Sequence, residues 1–97
     1  MRVRQFYNKN QFIITGKEGT VFQSYNSIIA ILKDDNSLTL GIDWDYSHTT
    51  LKHLYLFLDE YCYCVEGINT LREHSNKKAY IQKLIDKGII KYNEELS

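Results

Sequence analysis

Four side chains near the middle of the chain are of the types that bind metals or transfer protons: Asp43, Asp45, His48 and His53. Carboxylates beside imidazoles can ligate zinc or act as a general acid and base, but either role needs several groups that converge on one point. The spacing places these four at a strand end and on two faces of a following helix, so we expect no metal site and no catalytic centre. Ser47 beside His48 is not expected to be a nucleophile, because it occupies a helix-capping position.

Two further motifs match functional ones only in part. The run Gly16-Lys17-Glu18-Gly19-Thr20 lacks the spacing and the Gly-Lys-Ser/Thr ending of a phosphate-binding loop, and we interpret it as a hairpin turn. Cys62 and Cys64 are too close for an unstrained disulfide and lack the second pair of a zinc knuckle, so we expect free thiols. We therefore predict that the protein is not an enzyme and uses no cofactor or metal.

Basic residues are concentrated at the start of the chain, although the net charge is zero. Beside tyrosines they could form a surface that binds single-stranded nucleic acid, but basic residues also protect edge strands from aggregation. These candidate nucleic-acid-binding residues are Arg2, Arg4, Lys9 and Lys17. Zero net charge argues against this role, because phosphate neutralisation supplies most of the affinity for nucleic acid.

Acidic residues dominate the middle of the chain, where residues 33–60 hold six acids and two bases. Carboxylates on one surface could imitate a phosphate backbone toward a basic partner, or they could form an ordinary solvated face. The acidic candidates for partner binding are Asp34, Asp35, Asp43, Asp45, Asp59 and Glu60. The aromatic and apolar candidates are Leu56, Phe57, Tyr61 and Tyr63, which could be a protein-binding patch or ordinary core. A homodimer also remains open.

The first half of the chain carries strand signals and the second half helix signals. Alternating or continuous apolar runs separated by turn residues predict five strands, at residues 2–7, 11–15, 20–25, 27–33 and 37–42. The first fits an edge strand. Trp44 is expected to be buried at the seam between the last strand and the first helix.

The first helix is predicted over residues 50–61, with Ser47 as its N-cap. Its core-facing stripe is predicted as Leu51, Leu54, Tyr55, Leu58 and Cys62. Because Leu56 and Phe57 lie off this stripe, the helix needs cover on a second side, from a partner or from the C-terminal helices.

Two later helical segments are predicted after Gly67. The Thr70-x-x-Glu73 spacing of a capping box predicts a short helical turn. Ser75 is predicted to cap a helix over residues 76–87 that ends at Gly88. Residues 89–92 are expected to form a short strand or to pack two isoleucines beneath the helix.

These elements predict one compact α+β domain over residues 1–97, strand-rich over 1–43 and helix-rich over 44–97. Its fold is expected to be an antiparallel sheet of about five strands followed by two to three helices that pack on it. We expect neither a signal peptide nor a membrane span, and a cytoplasmic location.

Three blocks give the chain a family resemblance: Asn10-Gln11-Phe12, residues 22–30 (FQSYNSIIA) and residues 44–50 (WDYSHTT). With them the chain resembles a domain family of unknown function in small proteins of phages and mobile elements of low-GC Gram-positive bacteria. The resemblance implies a phage or plasmid accessory protein of the kind that disables a host component. On that basis we expect a non-enzymatic inhibitor that occludes a host defence protein, most specifically an anti-CRISPR that binds a Cas nuclease such as Cas9. The alternative is a small DNA- or RNA-binding accessory protein.

Overall fold

A sheet of six strands forms one layer of the protein over residues 2–17 and 19–96, the part of the chain that the computed structural model describes. The strands are β1 (Arg2–Phe6), β2 (Asn8–Gly16), β3 (Gly19–Ser24), β4 (Ser27–Lys33), β5 (Leu38–Gly41) and β6 (Lys91–Asn93). They lie side by side in sequence order. β1 to β5 are antiparallel neighbours, whereas β6 pairs parallel to β5.

The predicted α+β class is confirmed, with a sixth strand beyond the five expected. The five predicted strands are present with bounds that differ by up to three residues, and β1 is an edge strand as expected. β2 and β3 pair as far as Gly16 and Gly19, which agrees with a hairpin there. Glu18 of the predicted turn lies outside the described residues.

Side chains stabilise the turn between β4 and β5. The Asp35 carboxylate accepts hydrogen bonds from the Ser37 hydroxyl at 2.7 Å and from the Ser37 backbone N–H at 3.0 Å. Because both donors favour the ionised carboxylate, they hold the pKa of Asp35 below its ordinary value. Asn36 takes the left-handed conformation that this turn requires, with φ of 68°.

Helix α1 (His48–Tyr61) starts two residues earlier than predicted, and its N-cap is Ser47 as predicted. The Ser47 hydroxyl accepts a hydrogen bond from the Thr50 backbone N–H at 3.1 Å, which satisfies one of the free donors of the first turn. The fully buried side matches the predicted stripe only in part: Leu54, Leu58 and Cys62 are buried as expected, but so is Phe57, which lies off the stripe. Leu51 and Tyr55 are only partly buried.

A 3-10 helix (Ile68–Glu73) and helix α2 (Lys77–Asp86) follow α1. The 3-10 helix confirms a helical turn here, but Thr70 is not its cap, since the helix already begins at Ile68. The predicted cap of α2 is also wrong by one residue, because Asn76 rather than Ser75 accepts the hydrogen bond, from the Ala79 backbone N–H at 3.1 Å.

The end of α2 agrees with the prediction, since Gly88 follows it with φ of 80°. Both alternatives for the segment after Gly88 hold in part: Ile90 is buried beneath the helix, and the chain then forms β6. Neither α1 nor α2 has the length and apolar content needed to cross a membrane.

The core lies between the sheet and the helices. The rings of Phe22 on β3 and Phe57 on α1 stack with centroids 5.6 Å apart. Apolar side chains of the 3-10 helix and α2 belong to the same cluster, among them Leu71 and Ile81. The C-terminal segment therefore supplies the second cover that α1 needs. Trp44 is 3% exposed and lies in this core, as predicted.

Candidate partner-binding groove

Three chain segments meet where β3 turns into β4 and where β5 leads into α1. β3 ends at Ser24 and β4 begins at Ser27, so Tyr25 and Asn26 form a two-residue turn. Tyr25 takes φ of 54°, a conformation that Gly or Asn adopts more easily than an aromatic residue. The turn therefore holds a tyrosine at a position that local backbone preference does not favour.

Side-chain hydrogen bonds join these segments. The hydroxyl oxygens of Ser24 and Thr50 lie 3.3 Å apart, which links the end of β3 to the first turn of α1. The Ser47 hydroxyl donates to the Thr50 hydroxyl at 3.1 Å. The Ser27 hydroxyl donates to a carboxylate oxygen of Asp43 at 3.0 Å, which links the start of β4 to the loop after β5. The walls of the site are thus held in place by defined contacts.

Between these segments lies a groove of about 680 Å³, which we call the tyrosine groove. Its lining is mainly hydroxyl-bearing and consists of Ser24, Tyr25, Asn26, Ser27, Ile29, Asp43, Tyr46, Ser47, Thr49 and Thr50. Tyr25 is 53% exposed and Tyr46 is 79% exposed. Such a lining can donate and accept hydrogen bonds and can offer two aromatic rings to a partner.

The four residues with metal or acid–base potential do not converge. Asp43 lines the tyrosine groove, whereas Asp45 pairs with the Lys78 ammonium at 3.5 Å. His53 is buried with its Nδ1 2.8 Å from the Thr49 carbonyl oxygen, and His48 is exposed. Within residues 2–17 and 19–96, no three His, Cys, Asp or Glu side chains are grouped so that they could hold a metal ion.

The acidic candidates do not form one continuous surface. Asp34 and Asp35 lie in the turn before β5, and Asp43 lies beyond the other end of this strand, whose four residues span about 13 Å. Asp59 near the end of α1 pairs with the Arg72 guanidinium at 2.7 Å. The acidic candidates therefore lie in separate regions, and Arg72 partly neutralises the charge of Asp59.

Glu60, the last acidic candidate, contacts a tyrosine at the turn between β1 and β2. A hydrogen bond to the Glu60 carboxylate raises the pKa of the exposed Tyr7 phenol, because it stabilises the protonated form. This contact links the end of α1 to the hairpin formed by β1 and β2. The Glu60 carboxylate therefore already has a hydrogen-bond partner within the protein.

The aromatic patch predicted on α1 is largely core. Phe57 is fully buried and its ring faces Phe22 and the interior, so it takes the second of the two alternatives, that of a core residue. Leu56 and Tyr61 are partly buried, and the Arg4 guanidinium carbon lies 5.7 Å from the centroid of the Tyr61 ring. Of the four, Tyr63 alone is an exposed side chain, at 70%.

Two of the four basic candidates share a depression of about 380 Å³ on the edge strand, lined by Arg2, Arg4 and three neighbouring residues. Lys9 and Lys17 lie near opposite ends of β2. Over eight residue steps they are separated by about 26 Å. Lys9 is therefore remote from Lys17, whereas Arg2 pairs with Thr15, two residues before Lys17.

The cysteines are free, as predicted. Cys62 is buried, and burial raises the pKa of its thiol well above the ordinary value. Cys64 is exposed, and its sulfur lies 3.2 Å from the side-chain oxygen of Asn36.

The tyrosine groove was not predicted from the sequence, although most of its residues lie in the family blocks at residues 22–30 and 44–50. Those blocks meet here: Gln11 pairs with Ser24 across β2 and β3, and the Tyr25 backbone N–H donates to the Asn10 carbonyl at 2.7 Å. The signal that could have found the groove is the concentration of Ser, Thr, Tyr and Asn in two otherwise apolar regions.

Comparisons with known proteins give a family but no function. Neither the curated proteins nor the solved structures include a match to the chain. A family model does match, over residues 1–83, which include the whole tyrosine groove. The chain therefore belongs to a family of unknown function, DUF8033.

Proposed function

We propose that this protein is a non-enzymatic binding module of a phage or mobile element that inhibits a host defence protein by occlusion. The observation that carries the proposal is the tyrosine groove, where Tyr25 and Tyr46 stand exposed on a hydrogen-bonded frame. Tyrosine combines a large apolar ring with a polar tip, and it is enriched among residues that dominate binding energy. A frame that is already ordered reduces the entropy lost on binding.

The groove's oxygen groups support binding rather than catalysis. The Ser47 hydroxyl accepts from the Thr50 backbone N–H and donates to the Thr50 hydroxyl, so its hydrogen-bonding capacity is used by the helix start. Asp43 accepts from Ser27 and lies beside no imidazole among the groove's lining residues. A serine nucleophile needs an adjacent base to activate it, and Ser47 instead serves as an N-cap.

The target that we propose is a CRISPR-associated nuclease such as Cas9 in the bacterial cytoplasm. The resemblance to phage and mobile-element proteins supports this choice by association. The exposed acids Asp34 and Asp35 support it by charge, because they can approach the basic nucleic-acid channel of such a nuclease.

The proposal is tested with purified protein, Cas9, guide RNA and target DNA. We expect one equivalent of the protein to stop DNA cleavage and to co-elute with the nuclease in gel filtration. The double variant Tyr25→Ala/Tyr46→Ala should lose both effects. Tyr92→Ala, at a tyrosine that is 45% exposed on β6, is the matched control and should retain them.

A further variant tests whether the partner binds at the tyrosine groove or at the surface near the end of α1. Tyr63→Ala removes the exposed member of the predicted aromatic patch and should leave inhibition intact. If Tyr63→Ala abolishes inhibition and the groove variant does not, the binding surface is the end of α1. Full cleavage in the presence of excess wild-type protein would refute the choice of target.

A second candidate function, nucleic-acid binding, is favoured by the depression beside Arg2 and Arg4. Guanidinium groups bind phosphates, and such affinity falls steeply with salt. A gel shift of host DNA at physiological salt that is lost in Arg2→Ala/Arg4→Ala, but not in Lys17→Ala, would support this function. We expect no shift.

A further inference from the structure

Asp43 is the one formally charged residue among those that line the tyrosine groove. It is half-buried, and Ser27 donates to its Oδ2 atom at 3.0 Å. Asp45, two residues further along the chain, pairs with the Lys78 ammonium. The groove is therefore lined by a carboxylate and by no Lys, Arg or His that could balance its charge. Partial burial strengthens the attraction of that carboxylate for a positive charge.

Aromatic rings add to this attraction. Tyr25 and Tyr46 both line the groove and both are exposed, so their faces are accessible to a ligand. The face of an aromatic ring attracts cations, and the flat guanidinium group stacks on it more effectively than an ammonium does.

The remaining lining residues provide hydrogen-bond acceptors. Asn26 offers an amide oxygen and Thr49 a hydroxyl, both on the groove wall. A guanidinium carries five N–H donors in a fixed plane and needs several acceptors when it leaves water. A groove of about 680 Å³ is within the range of sites that enclose small ligands, so one long side chain and its flanking backbone fit.

We propose that the tyrosine groove is a recognition site for an arginine side chain presented by the partner protein. The carboxylate of Asp43 pairs with the guanidinium, and the rings of Tyr25 and Tyr46 cover it. This inference rests on the proposed function in that it names the chemistry by which the same groove recognises its partner. It also predicts that the partner contributes a basic side chain to an acidic groove.

The test is an NMR titration of the ¹⁵N-labelled full chain with N-acetyl-arginine methylamide, a probe whose only charge is its side chain. We expect the largest shifts at the backbone amides of Tyr25, Asn26, Asp43 and Tyr46. The equivalent lysine probe should bind more weakly, because it lacks the planar fork, and the norleucine probe should not bind.

Asp43→Asn is the decisive variant, because its amide oxygen can still accept from Ser27 while the charge is lost. We expect arginine affinity to fall about tenfold, which corresponds to about 1.4 kcal/mol. Asp86→Asn removes the same charge at the exposed end of α2 and should leave the titration unchanged. If Asp43→Asn does not give a dispersed spectrum, Tyr46→Leu takes its place and should also lose affinity, since Tyr46 is exposed and not part of the core.

Equal titrations for wild type and the groove variant would overturn the inference, as would shifts spread over the exposed acids rather than the groove. The outcome is separate from that of the proposed function. If the arginine probe does not bind but Tyr25→Ala/Tyr46→Ala still loses nuclease inhibition, the groove binds its partner by other contacts. If the arginine probe binds but the wild-type protein does not inhibit the nuclease, the arginine site is supported and the target is a different protein.

Discussion

The sequence leaves Phe57 as either a partner contact or a core residue, and these two roles respond oppositely to truncation. Its side chain has no exposed surface. Its ring stacks on Phe22 with centroids 5.6 Å apart and lies 5.3 Å from the centroid of Tyr61. Phe57→Ala therefore removes a fully buried ring and leaves a cavity between sheet and helix.

The expected loss is about 3 to 5 kcal/mol, the usual range for a buried phenylalanine cut to alanine. A domain of this size has a total stability of about 5 to 15 kcal/mol, so this loss removes about a fifth of it or more. With a urea slope of about 1.5 kcal/mol per molar, the unfolding midpoint should fall by about 2 to 3 M. Urea titration followed by circular dichroism measures this directly.

Two controls make this prediction specific. Tyr63→Ala, at a side chain that is 70% exposed, should change stability by less than about 0.5 kcal/mol. A double-mutant cycle with Phe22→Ala should give a coupling of about 0.5 to 1.5 kcal/mol from the ring pair. A loss below about 1 kcal/mol for Phe57→Ala, together with lost partner binding, would show that the ring is a contact residue and refute the packing described above.

Four further experiments test other parts of the fold. Trp44→Ala should cost about 3 to 5 kcal/mol in a urea titration, because the ring is 3% exposed; a loss below about 1 would instead indicate a surface role. Ser47→Ala should cost about 0.5 to 2 kcal/mol by removing the N-cap of α1, and Ser47→Asp should restore most of it. Iodoacetamide should alkylate exposed Cys64 but not buried Cys62 in the native protein, as mass spectrometry can show. Because burial raises the pKa of Cys62, the unfolded chain releases this proton more readily than the folded one, so stability should decline above about pH 9, the ordinary value for the thiol.

Local chemistry explains why the strands and helices could be predicted. The alternation of apolar and polar residues in β5 and the apolar run of β4 require only neighbours in sequence, as do the cap at Ser47 and the stop at Gly88. Such signals act over a few residues, so they do not depend on how the rest of the chain packs. The cap of α2 differs from the prediction by one residue, Asn76 for Ser75, at a helix end where adjacent polar residues compete for the same capping role.

The orientation of α1 could not be obtained from the same information. Apolar residues cover more than half of its circumference, so several rotations bury a similar apolar area and periodicity does not choose among them. Packing against Phe22 on the sheet, together with contact between α1 and the 3-10 helix, selects the rotation that buries Phe57. In this orientation of α1, Phe57 is not part of the protein surface, whereas Tyr63 is exposed to solvent.

By itself the sequence determined which segments are strands and helices, the α+β class, the caps at Ser47 and Gly88, and the burial of Trp44. Tertiary structure alone decided that the turn at Tyr25 lies against the start of α1, that Asp43 joins it, and that the acids and bases separate into different regions. The physical reason is distance along the chain. Ser24 and Thr50 are 26 residues apart, and a hydrogen bond between them depends on the sheet's register and the path of β5. No local preference encodes such a contact, because it forms only when the whole core has packed.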